Sequence, residues 1–230
     1  MSEEGNICKF CGKKFQKLST LSVHLCEAKR RHQQEKEVGV QLGFKAFLRF
    51  FELTQATSKL KTYEDFSKNP FYLAFVKFGR YLVDIKAINT SNYIDWLIKN
   101  NKKIDHWARD SLYQEWLLNY IKKEAVQDAL ERSLKTMQEY ADSKSGLEDR
   151  FFDYFRIGST SYIIQQIEFG RISPWVVFNS TSGVELLEKL NEAEINIILP
   201  YIDPDYWQKR FKEYSLDTDW VKDILKKAGL

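Results

Sequence analysis

Cys8, Cys11 and His24 stand in a C-x2-C-x12-H array near the start of the chain, with Phe15 and Leu21 at the two apolar positions that a small ββα module buries. No other feature constrains the fold as tightly. Two thiolates from a tight turn and an imidazole from a following helix supply three tetrahedral zinc ligands at a spacing such modules use. The fourth ligand departs from a regular array, which would place it four to six residues after His24, where Ala28, Lys29 and Arg30 stand. Three candidates remain. Cys26 is a soft thiolate, but i to i+2 turns about 200° around a helix, so it coordinates only if the helix ends near His24. His32 lies roughly 12 Å further along a helix axis and needs a kink or loop to reach the same ion. Glu27 sits on the right face at i+3, and carboxylates are less common partners in a structural two-thiolate site. Cys26 ranks first and His32 second, which predicts one structural Zn2+ on Cys8, Cys11, His24 and Cys26.

The chain has 230 residues and is 43% hydrophobic, enough for a small amino-terminal module and one main domain with its own core. Below about 40 residues a domain usually needs a metal or a disulfide, so zinc is expected to be a folding requirement for the module alone. All three cysteines lie in the first 26 residues, and metal-spaced thiols fit a reducing, cytoplasmic compartment. No basic and then apolar leader follows Met1, and no run of about 18 apolar residues occurs, so neither export nor membrane spanning is expected. The net charge of +3 is unevenly placed. Residues 1–40 hold eight Lys/Arg against five Asp/Glu, and residues 41–230 hold 27 of each.

The texture of the chain predicts a mainly α protein: a ββα-like module over 1–26, a charged helical linker over 27–41, and an all-α domain over 42–230. Phe44, Phe47, Leu48 and Phe51 recur at helical spacing, as do Leu112/Tyr113, Trp116/Leu117 and Tyr120/Ile121. Thr62, Ser91, Ser182, Asn191 and Thr218 are candidate N-caps, Pro70 a candidate helix start, and Ser173-Pro174 and Asp203-Pro204 pair an N-cap with proline at the first helical position. Nine to twelve helices follow from this pattern, with few or no strands.

Three classes of function are open to such a chain. The metal ligands and the basic excess share the same residues, which points to weak, backbone-directed nucleic-acid binding through Lys13, Lys14, Lys17, Thr20, Arg30 and Arg31. Lys17, Ser19, Thr20 and Val23 occupy the base-contacting positions of such a module, yet Ser and Thr accept almost any base and one module spans only about 3 bp. A second class uses the module as a folded knob for binding protein. An enzyme is the third, built on His106, Arg109 and Asp110 at i, i+3 and i+4, where the alternative is a capped helix start. No H-E-x-x-H, Walker loop, G-x-S-x-G or second metal-spaced cluster is present, so neither a hydrolase nor a nucleotide-binding protein is expected from motifs. The segment Phe169 to Trp175 reads as a structural corner, with partner binding as its alternative.

Residues 8–24 resemble the two-cysteine, two-histidine zinc-finger family, with a departed fourth ligand. The run from Cys8 through Arg31, Leu42-Gly43-Phe44, Phe75-Val76-Lys77-Phe78-Gly79 and Gly170-Arg171-Ile172-Ser173-Pro174-Trp175 resemble zinc-finger-bearing proteins of large tailed phages that infect marine cyanobacteria. That resemblance implies a viral protein in the host cytoplasm; the shared placement of metal ligands and basic excess is what points to work on nucleic acid or a replication or transcription complex. The resemblance implies no activity.

Overall fold

The computed structural model describes residues 6–55 and 61–230, so the first five residues of the expected 1–26 module lie outside it. The chain divides into two compact units, residues 1–109 and 110–230. Among the described residues the only sheet is a two-stranded antiparallel ribbon, β1 (Asn6–Ile7) with β2 (Lys14–Phe15), in which Asn6 faces Phe15 and Ile7 faces Lys14. The other described residues form helices joined by turns and short extended segments, as the apolar periodicity predicts.

In the first unit, β2 leads into α1 (Leu18–Val23) and α2 (Glu27–Gln33), then α3 (Val38–Thr54), α4 (Tyr63–Ser67), α5 (Tyr72–Asp84) and α6 (Thr90–Lys99). A short 3-10 turn over Ile104–His106 delivers Trp107 to the core. Helices α3 and α5 form the closest pair. Gly39, Gly43 and Gly79 meet at their crossing, where a Cβ on Gly79 would overlap Gly39 O and Gly43 N, and one on Gly43 would stand 2.5 Å from Phe75 O. Around that contact Phe47, Phe66, Phe75, Phe78 and Trp107 are fully buried, and the Trp107 ring meets Phe75 edge-on at 5.8 Å and Phe78 at 5.2 Å. The Trp107 indole N–H donates to Lys102 O at 2.9 Å, so its polar edge is satisfied inside the core.

Residues 27–41, expected as an exposed linker, consist of α2, a turn and the first residues of α3. Arg31 ties α2 to the body of the unit: it donates to Ser67 O at 2.5 Å, lies 4.3 Å over the Tyr72 ring, and its own carbonyl accepts from Tyr63 Oη at 2.8 Å.

The second unit contains α7 (Asp110–Tyr120), α8 (Val126–Asp142), α9 (Tyr154–Ile157), α10 (Thr160–Glu168), α11 (Pro174–Asn179), α12 (Thr181–Leu187), α13 (Glu192–Ile202), α14 (Pro204–Glu213) and α15 (Ser215–Lys227). From α3 onward there are thirteen α-helices among the described residues, against nine to twelve expected for the all-α domain, because short pieces such as α4, α9 and α11 lack the length for a clear period. Thr62, Ser173, Asn191 and Asp203 cap helices as predicted. Elsewhere the caps move. Asn89, at φ 35°, caps α6 in place of Ser91; Ser180 caps α12 in place of Ser182; Thr218 lies inside α15, and α5 starts at Tyr72 rather than Pro70.

The 169–175 segment is a structural corner. Ile172, Ser173 and Trp175 are completely buried, the Trp175 ring lies 5.0 Å from Phe211, and Ser133 Oγ accepts from Ser173 N at 2.9 Å. Arg132 donates to Gly170 O at 2.8 Å and grips both oxygens of Glu124 at 2.6 and 2.8 Å. Glu124 has no exposed side-chain surface. Burial pushes its carboxyl above the ordinary value of 4.5, with Arg132 opposing. Replacing Arg132 by methionine leaves that carboxylate uncompensated and should cost about 3–5 kcal/mol at neutral pH. An acid whose folded pKa is raised stabilises the fold below its unfolded pKa and loses that contribution as pH rises. The deficit of Arg132→Met should therefore shrink towards about pH 4, as checked by urea melts at both pH values.

Candidate metal centre

The site begins with a turn. Cys8 and Cys11 bracket Lys9-Phe10, the Cys8 N–H donates to Lys13 O at 2.9 Å, and Gly12 N–H donates to Cys8 O at 2.8 Å. Gly12 holds φ 72°, a left-handed conformation that needs glycine although the space beside it is open. The turn brings both thiols to one side. Helix α1 then stops: His24 is its C-cap at φ −65°, ψ 122°, and Cys26, at φ −84°, ψ 164°, is the N-cap of α2. In extended backbone, residues i and i+2 face the same way, so ending the helix removes the 200° conflict between His24 and Cys26.

The result is a cluster of four donors. The ligand atoms of Cys8, Cys11, His24 and Cys26 all lie within 4.8 Å of one another. Cys8 Sγ is 3.9 Å from Cys26 Sγ, and Cys11 Sγ is 3.3 Å from His24 Nε2. Metal–sulfur bonds of about 2.3 Å and metal–nitrogen bonds of about 2.0–2.1 Å give tetrahedral edges of about 3.8 and 3.6 Å, close to those separations. The three cysteines are free thiols. These four residues can bind one metal ion, and the preferred fourth donor, Cys26, is among them.

His32 is not. Its Nδ1 faces Glu35 at 3.4 Å, and its ring packs against Phe10 at 5.1 Å. Glu27, the third candidate, pairs with Arg31 at 3.0 Å.

The electrostatics of the cluster follow from its crowding. Burial pushes the Cys8 thiol up, but the N–H groups of Phe10 and Cys11 and the thiols of Cys11 and Cys26 more than offset this and lower it. Cys11 has help from the Lys13 N–H, yet burial and the neighbouring Cys8 and Cys26 raise it. Three thiols this close compete for negative charge, which a bound cation relieves. The Lys29 N–H adds a hydrogen bond of 3.4 Å to Cys26 Sγ from the first turn of α2, and Lys29 Nζ donates to His24 O at 3.1 Å. The spacing pattern points to neither Lys29 nor Gly12; a glycine directly after the second cysteine is a signal that could have found the turn, and nothing in the sequence marks Lys29.

Hydrophobic support is thin. Between Asn6 and Cys26 only Cys8 is buried; Phe15 and Leu21, expected as the core, are half-buried, and the Phe15 ring packs on His24 at 4.7 Å. Lys13, Lys14, Lys17, Thr20 and Arg30 are exposed, as are Ser19 and Val23. Arg31 is half-buried by the contacts described above, which commits its guanidinium internally and removes it from the free cations expected to meet phosphate. Lys9, exposed and 5.1 Å from the Phe10 ring centre, is a cation of the same surface that the spacing pattern did not single out.

The catalytic alternative loses its geometric premise. His106 ends a 3-10 turn and Asp110 begins α7, so His106, Arg109 and Asp110 do not share a helix face.

Among the described residues no helix is long and apolar enough to cross a membrane. The chain matches no family model, no curated protein and no solved structure. Fold and site together define it as a mainly α protein with an amino-terminal three-cysteine, one-histidine cluster that could hold a metal ion.

Proposed function

We propose that the cluster holds one structural zinc ion and that the finger so ordered binds nucleic-acid backbone, without catalysis. A soft, mostly thiolate tetrahedral donor set favours zinc over hard cations. One observation carries the nucleic-acid reading. From Asn6 to Cys26 there is no Asp or Glu, while Lys9, Lys13, Lys14 and Lys17 are all exposed. Three thiolates and one divalent ion sum to −1, so the finger keeps a net positive charge. Base reading is a poor fit: α1 has six residues, about 9 Å, and exposes Ser19 and Thr20, which discriminate little. The same coincidence of metal ligands and positive charge supports a role beside a replication or transcription complex.

Salt-titrated binding of the zinc-loaded protein to duplex and single-stranded DNA tests this. Contacts from Lys13, Lys14, Lys17 and Arg30 should give a log–log salt slope of about −3 to −4 on duplex, reduced by roughly 3 when the three lysines become glutamine. Zinc-loaded protein that shows no binding at low salt ends the proposal.

A second reading, a protein-binding knob, is favoured by Leu18, Val23 and Leu25, which are 68%, 79% and 50% exposed on the same finger. Under that reading Leu18→Ser with Val23→Ser removes binding that the lysine variants leave intact.

A further inference from the structure

The second unit contains a cleft of about 580 Å³ where the turn before α8 faces the end of α14 and the start of α15, lined by Lys123, Glu124, Ala125, Val126, Gln127, Arg210, Tyr214, Asp217 and Trp220. Its walls are fixed. Tyr206 Oη donates to Lys122 O at 3.4 Å and Lys122 Nζ lies 4.8 Å over the Tyr206 ring, which holds α14 against the α7–α8 turn.

Three features of this cleft call for an anion. Arg210 stacks on Tyr214 at 4.4 Å, yet its Nε is buried with no hydrogen-bond partner, and its guanidinium has no ion pair among the described residues. The Nε is sealed from solvent, so the outer guanidinium nitrogens of this cleft-lining arginine, which have no acceptor among the described residues, are the donors open to an anion. Ala125, the N-cap of the 17-residue α8, offers no side-chain acceptor, so the first-turn N–H groups are left open at the same place. Lys123 adds its ammonium beside them.

The other residues restrict what carries the anion. Glu124 is neutralised by its bidentate pairing with Arg132, which leaves Asp217 as the one uncompensated carboxylate lining the cleft. That carboxylate disfavours an extended polyanion and suits a ligand with hydroxyl or amino donors at its far end. Trp220 and Tyr214, 42% and 44% exposed, offer aromatic faces on the same wall. An anion, a flat ring and hydrogen-bond donors in one small molecule describe a nucleotide. We propose that this cleft binds a nucleoside monophosphate, with its phosphate on Arg210, Lys123 and the start of α8, its base on Trp220, and its donors towards Asp217. The volume is in the range of small-molecule sites, roughly 300–1,000 Å³. This inference is independent of the finger.

Calorimetric titration of the full-length zinc-loaded protein with AMP, adenosine and inorganic phosphate is the test. AMP should bind with a Kd below about 1 mM, and adenosine and phosphate each at least roughly tenfold more weakly. Arg210→Gln should weaken AMP by about tenfold or more and leave adenosine unchanged, whereas Trp220→Ala should weaken both. Lys123→Gln provides the same comparison if Arg210→Gln does not fold. The proposal is overturned by three results: no AMP binding up to several times about 1 mM, adenosine binding as tightly as AMP, or AMP affinity unchanged in folded Arg210→Gln or Lys123→Gln and in Trp220→Ala.

Discussion

Cys8→Ser should take the protein from about one zinc ion per chain to none and unfold residues 6–26, while the helices from α3 onward persist. The reason is the balance of forces in the finger. Its two apolar side chains, Phe15 and Leu21, are only half-buried and together supply about 1–3 kcal/mol. A structural zinc site supplies about 10–16 kcal/mol at neutral pH, all of it conditional on folding. With Cys8 gone, the remaining donors are Cys11, His24 and Cys26, of which Cys11 is exposed. Elemental analysis reads the ion directly. Limited trypsin digestion reads the fold, because Lys9, Lys13, Lys14 and Lys17 lie within the segment that should open. Acidification should release the ion in the same way, since thiolates and imidazole must be deprotonated to bind it. Cys26→Ser should behave like Cys8→Ser, and His32→Ala should keep its zinc. Zinc lost from His32→Ala but retained by Cys26→Ser would reverse the ligand assignment.

The two outcomes at positions 26 and 32 turn on something a sequence states only in part. The spacing Cys8, Cys11, His24 was sufficient to locate the site, because ligand type and separation are fixed by chain chemistry. The fourth ligand depended on where α1 ends, and nothing local marks that end: Leu25 is neither glycine nor proline. The stop becomes intelligible once Cys26 is seen to cap α2 and accept the Lys29 N–H. Helices such as α3 and α7 were legible for the usual reason, that burial selects a period. Caps were legible where the side chain had no competitor, as at Thr62 with its reciprocal partner Asp65. Ser91 and Ser182 failed because Asn89 and Ser180, two residues earlier, took the role. The Arg210 cleft was invisible in the sequence, since its residues come from segments some 85 positions apart and share no pattern. The split into two units at residue 109 was equally hidden, because Trp107 closes one core and Tyr113 enters the other within a single continuous aromatic stretch.

Gly79→Ala should destabilise the first unit by about 3–5 kcal/mol, against the direction that helix propensity dictates. In an exposed helix interior, alanine is more favourable than glycine by about 0.8–1 kcal/mol, so on local grounds the change should help. The α3–α5 crossing reverses the sign. A Cβ at position 79 would overlap backbone atoms of Gly39 and Gly43, and backbone cannot rotate aside as a side chain can. The helices must separate, which loosens the buried Phe47, Phe75 and Phe78 that pack around the contact and adds lost burial to the overpacking cost of about 1–3 kcal/mol. The three glycines should differ in order. Gly43→Ala meets Phe75 O at 2.5 Å and should rank second, whereas Gly39→Ala meets the Arg80 Cγ at 2.6 Å and reaches backbone only at 2.9 Å, the Arg80 Cα, and should be the mildest of the three. Gly146→Ala, at φ 80° with no atom within 4 Å, isolates the conformational cost of a left-handed residue and should lose only about 1–2 kcal/mol. At roughly 4–8 °C per kcal/mol for a unit of about 100 residues, Gly79→Ala should lower the Tm of the first unit by some 15–30 °C in calorimetry. A Tm at or above that of the parent protein would mean that α3 and α5 do not touch through their backbones, and the arrangement of the aromatic core around Trp107 would have to be redrawn.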